Sequence, residues 1–67
     1  MKKPGDVNYH EQVLVKITDK SSTSHPYEKV WLLRCSLCGY EYGCNGADAW
    51  LRKCPECMAG KPGEPIT

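Results

Sequence analysis

The stretch Cys35-Ser36-Leu37-Cys38-Gly39-Tyr40, answered by Arg52-Lys53-Cys54-Pro55-Glu56-Cys57, decides the fold. Fifteen residues separate the two Cys-x-x-Cys pairs, the spacing of a four-cysteine metal site. Each such turn can aim both sulfurs to one side, and two facing turns supply a tetrahedron. Thiolate sulfur is a soft donor, so zinc or iron fits and magnesium or calcium does not. The predicted ligands are Cys35, Cys38, Cys54 and Cys57 around one ion, with zinc the default. Gly39 stands where a tight turn needs positive φ, and Pro55 fixes φ inside the second turn. Structural disulfides and free thiols are the competing readings.

Size makes the metal a folding requirement. A 67-residue chain with no Phe, two Trp and four Tyr buries little surface and ordinarily needs a metal, disulfides or a partner. Structural zinc supplies about 10–16 kcal/mol of apparent binding free energy, comparable with a small domain's entire stability. Five cysteines, an odd number, argue against a closed disulfide framework. No apolar run is long enough for a signal peptide or a membrane span. The expectation is a free-standing cytoplasmic protein in a reducing compartment. Its formal charge of +1 would fall to −1 once four thiolates and a divalent ion add −2, so the global charge carries no nucleic-acid signature.

Working outward, residues 27–34 are the most strand-like, with Val30 and Leu32 facing one way and Trp31 and Leu33 the other. Apolar groups on both faces predict a central strand or one that meets a partner. Residues 11–18 alternate, with Val13, Val15 and Ile17 on one side and Leu14 as the exception. The polar run 18–26 reads as a loop, and 39–43 as a third strand. Asn45-Gly46 is a hairpin-turn dipeptide. Residues 47–53 either return as a strand or form a short helical turn capped by Asn45, with Trp50 and Leu51 contributing apolar contacts. Residues 1–8 read as a disordered leader, 9–58 as the domain and 59–67 as an extended Pro/Gly-rich tail from which Pro62 or Ile66 packs back onto the domain.

The Cys-x-x-Cys-Gly-Tyr and Cys-Pro-x-Cys pieces resemble the paired knuckles of zinc-ribbon and rubredoxin-like domains, over residues 27–58. The resemblance implies a small mainly-β, metal-stabilised fold: a zinc-ribbon-like antiparallel sheet, flexible at its termini, with the ion clamped between two turns. A rubredoxin-like protein would instead carry one iron and move electrons. The shorter stretch between the pairs, Met58 in place of glycine and the missing acidic aromatic segment set this chain apart from rubredoxins and favour zinc.

Other residues carry less. Cys44 reads as a small buried residue, with replacement of a knuckle cysteine and a reactive thiol as the alternatives. His10 and His25 read as surface residues, since four sulfurs complete the site. A thioredoxin-like redox role wants a βαβ context that so short a chain lacks. Arg34, Arg52 and Lys53 stand beside the knuckles and either offset thiolate charge or contact phosphate. In the second case Trp31, Tyr40, Tyr42 and Trp50 would stack bases. The expected function is a structural zinc-binding module without catalysis that binds nucleic acid or a protein partner, and neither a membrane nor a small-molecule substrate. The alternatives are an electron carrier and a small scaffold within an assembly.

Overall fold

The computed structural model describes residues 3–22 and 27–64. Three strands, β1 (Gln12–Ser21), β2 (Lys29–Cys35) and β3 (Glu41–Asn45), form one antiparallel sheet in the order β1-β2-β3. The two-faced pattern of residues 30–33 has its explanation here. As the middle strand, β2 is covered on both sides, with Val30 and Leu33 fully buried on opposite faces. The run 18–26 expected as a loop is strand as far as Ser21, because β1 extends to pair Ser21 with Lys29. Residues 1–2, 23–26 (with His25) and 65–67 (with Ile66) lie outside the described residues.

The phase of β1 is inverted relative to the sequence reading. Gln12 and Leu14 are buried, whereas Val13 and Val15 are half-buried and Ile17 is 43% exposed. Register explains the inversion. Leu14 lies opposite Leu33 and Gln12 opposite Cys35, and directly opposed residues share a sheet face. A register shift between Leu14 and Lys16 leaves Val15 without a partner. This β-bulge re-phases the strand, so Ile17 reaches the core face opposite Trp31 only at the sheet's margin. Leu14, the apparent exception, joins Leu33, Tyr42, Cys44 and Ala49 in the core, with Trp31 against it. Full burial of a leucine stabilises by about 1.5–3 kcal/mol, and Val13 and Val15 keep part of their own burial on the other face.

The chain ends cover the sheet edges. In the segment read as a leader, Gly5 N–H donates to Leu14 O (2.7 Å), Leu14 N–H to Asp6 O (2.8 Å) and Asn8 N–H to Gln12 O (2.9 Å). In the segment read as a tail, Glu64 N–H donates to Gly43 O (2.8 Å), and the Ser22 hydroxyl donates to the Glu64 carboxylate. Pairing at both edges leaves less backbone exposed to strand addition.

After β3 the chain does not return as a hairpin. The Asn45 Oδ1 accepts from Ala47 N–H (2.9 Å) and Asp48 N–H (3.2 Å), and one 3-10 turn follows at Ala49–Leu51. The helical alternative for 47–53 therefore holds as a single turn. Its inward residue is Ala49, not Trp50 or Leu51, which are 44% and 52% exposed. A three-residue turn has room to point one side chain at the core. Gly46 is needed for packing, since a Cβ there would lie 2.7 Å from the Trp31 indole.

Candidate metal centre

The four sulfurs of Cys35, Cys38, Cys54 and Cys57 lie within 4.8 Å of one another. Cys35 Sγ is 3.6 Å from Cys57 Sγ, and Cys38 Sγ is 3.5 Å from Cys54 Sγ. Both separations exceed a disulfide bond of about 2.05 Å. They sit close to the edge of about 3.8 Å that a tetrahedron with metal–sulfur bonds of about 2.3 Å requires. All five cysteines are free thiols, so the disulfide reading falls away. The donor set fits one thiophilic ion.

Two knuckles with different supports build the site. Cys35 ends β2, its N–H donating to Tyr40 O (2.9 Å) and its carbonyl accepting from Gly39 N–H (2.8 Å). Gly39 has φ +81°, the left-handed conformation anticipated for it, which costs glycine little. Ser36 N–H donates to Glu11 O (2.9 Å), tying this knuckle to the start of β1. The second knuckle lies outside the sheet. There the Cys54 sulfur accepts from the N–H groups of Glu56 and Cys57, both at 3.4 Å. Its carbonyl accepts from Met58 and Gly60, both at 3.1 Å, and the left-handed residue is Ala59 (φ +53°).

The thiols of the cluster differ in their electrostatics. Burial pushes Cys35 up, but the Gln12 side chain, the Cys38 and Leu37 backbone and the Cys57 thiol outweigh it and lower this thiol to about 6. Burial and then the neighbouring sulfurs push Cys57 up to about 12. Cys38 is also raised: a hydrogen bond to the Tyr40 backbone lowers it, while burial and the Cys54 sulfur raise it. The Cys35 thiolate forms readily, while Cys38 and Cys57 resist ionising. A divalent ion at the centre reverses that resistance, because a coordinating thiol is deprotonated outright.

The sequence pattern does not single out Gln12. It is fully buried opposite Cys35, donates from Nε2 to His10 O (2.7 Å) and accepts from the Tyr42 hydroxyl (2.7 Å). Its signal is a polar residue in phase with Leu14, legible only once β1 is phased correctly.

Of the residues considered for partner contact, Tyr42 is buried, and Arg52, 8% exposed, lies with its guanidinium carbon 5.7 Å from the Tyr42 ring centroid. Arg52 Nη2 donates to Lys61 O (3.0 Å) and Pro62 O (3.1 Å), so it clamps the chain after the second knuckle. Trp31 is half-buried against the core. Arg34 is exposed opposite Glu41, a cross-strand pair. Tyr40 is exposed and stacks on Tyr42 with centroids 6.0 Å apart. Trp50 meets Tyr9 edge-to-face at 5.5 Å, and Lys53 is exposed.

Cys44 sits in the core, where burial pushes its thiol up to about 12. No described helix is long and apolar enough to cross a membrane. Compared with known protein families, with curated proteins and with solved structures, the chain matches none.

Proposed function

We propose that this chain is a structural zinc module without catalysis of its own, presenting a surface to nucleic acid. The observation that carries the reading is the four-sulfur cluster. Sulfurs within 4.8 Å of one another would complete the tetrahedral coordination of one ion, and an ion so held would have no position for water or substrate. In so small a chain such a site supports the fold rather than a reaction.

Nucleic acid is favoured over protein by the exposed aromatic pair Tyr9–Trp50, of which Trp50 stands close in sequence to exposed Lys53, the combination that stacks bases and meets phosphate. A scaffold docking through Val30–Leu33 has less support, because Val30 and Leu33 are fully buried.

Elemental analysis of protein purified without added metal tests the first part. One zinc per chain in a colourless protein is expected. A coloured protein with one iron would replace this reading with electron transfer, and a metal-free folded chain would remove both. Binding of a single-stranded oligonucleotide at low salt, lost on chelation, tests the second part.

A further inference from the structure

A cleft of about 390 Å³ opens between the 3-10 turn and the exit of the second knuckle, its lining including Asp48, Leu51, Arg52, Lys53, Gly60 and Lys61. Three of these residues are cationic and one is a carboxylate. Its two walls are fixed to each other. At Gly60 any Cβ would collide with the Lys53 carbonyl, so the backbones bearing Lys53 and Lys61 are pressed together. The buried Arg52 guanidinium holds the Lys61 and Pro62 carbonyls from within. Arg52 Nε and Asp48 Oδ1 are both buried without a hydrogen-bond partner among the described residues, and the Asp48 carboxylate offsets one of the three positive charges. Exposed Leu51 lines the same cleft, and exposed Trp50 precedes it, its ring against Tyr9 with the planes at 68°. Asn8 holds this neighbourhood together by donating from Nδ2 to Ala49 O (2.8 Å) and Arg52 O (2.9 Å).

We infer that this cleft seats backbone phosphates of a single-stranded nucleic acid between Lys53 and Lys61, while a base stacks at Trp50. The inference rests on the nucleic-acid reading above and gives it a location. Lys53 taken alone could merely offset thiolate charge at Cys54. Lys61 is outside both knuckles, and it lines the same cleft from the other wall. Paired cations, a volume within the range of small-ligand sites and an adjacent aromatic surface match the needs of a phosphodiester with an unstacked base. Arg52 is a positioning residue, since its described hydrogen bonds go to the protein's own carbonyls.

The test uses the full-length, metal-loaded chain and a labelled oligothymidylate, followed by anisotropy across a salt series. Metal stoichiometry and amide chemical-shift dispersion confirm that each variant is folded. The double variant Lys53→Ala with Lys61→Ala is expected to weaken binding about tenfold or more at low salt. It should also flatten the slope of log affinity against log salt by about 1.4, at about 0.7 for each phosphate that is no longer neutralised. Trp50→Ala is expected to weaken binding about tenfold with the salt slope unchanged. Undiminished binding by the folded double variant overturns the cleft and leaves nucleic-acid binding standing elsewhere. No binding by the folded wild-type chain at low salt overturns both. Equal competition by polyglutamate overturns the stacking role and shows charge attraction alone.

Discussion

The two knuckles share a cysteine spacing and a burial pattern, with Cys35 and Cys54 buried and Cys38 and Cys57 exposed, yet they are held in different ways. The first grows from the end of the central strand, opposite Gln12, and turns on a glycine. The second has no strand beneath it. It relies on bonds to the Cys54 carbonyl and sulfur, on the Arg52 clamp and on an alanine in the left-handed region. One half of the site is organised by the sheet, and the other half by local turns. Equal spacing in sequence thus conceals unequal preorganisation.

The hardest way to break this comparison is to remove the ion. Chelation, or Cys54→Ser, is expected to abolish the cooperative fold. The metal contribution, about 10 kcal/mol or more, matches or exceeds what a small domain has to lose. Amide dispersion in an NMR spectrum reads the outcome, and a native spectrum after metal removal would show that the sheet stands alone. Lowering the pH should release the ion for the same reason: protons compete for the sulfurs, so metal affinity falls as pH falls. A metal-indicator titration would follow it.

A smaller effect is expected beneath the first knuckle. Tyr42→Phe deletes the donor to Gln12 Oε1 and leaves a buried acceptor unpaired, at a cost of about 1–3 kcal/mol in denaturant unfolding of the metal-loaded protein. No change would mean that Gln12 does not need the tyrosine.

The asymmetry between the turns can then be tested by exchanging their residues. Gly39→Ala should destabilise by about 1 kcal/mol and Ala59→Gly should stabilise by up to about the same amount, because left-handed backbone disfavours a Cβ. Shifts of the same sign would refute the assignment of Ala59 as the strained position.

The smallest effect concerns the core. Cys44 is raised to about 12 chiefly by burial, so the folded state favours its neutral thiol. The sign follows from linkage: this contribution is full below the unfolded thiol's pKa of about 8.5 and is lost as pH rises towards 12. Alkylation of Cys44 at pH 8 should be slow in the folded chain and fast in denaturant, with mass spectrometry as the readout. Rapid labelling of the folded chain would place Cys44 outside the core.

The cysteine spacing by itself determined the four candidate ligands, since a Cys-x-x-Cys turn brings its sulfurs together within one local stretch. Alternating apolar residues determined a β fold with a two-faced middle strand for an equally local reason. Tertiary structure alone decided which side of β1 is buried, because a bulge resets the phase and pairing with β2 selects Gln12 and Leu14 over Val13, Val15 and Ile17. It also decided that Tyr42 and Arg52 serve the interior while Trp50 and Lys53 stay outside. That division depends on where residues 61–64 fold back across β3, a long-range contact that no local pattern encodes.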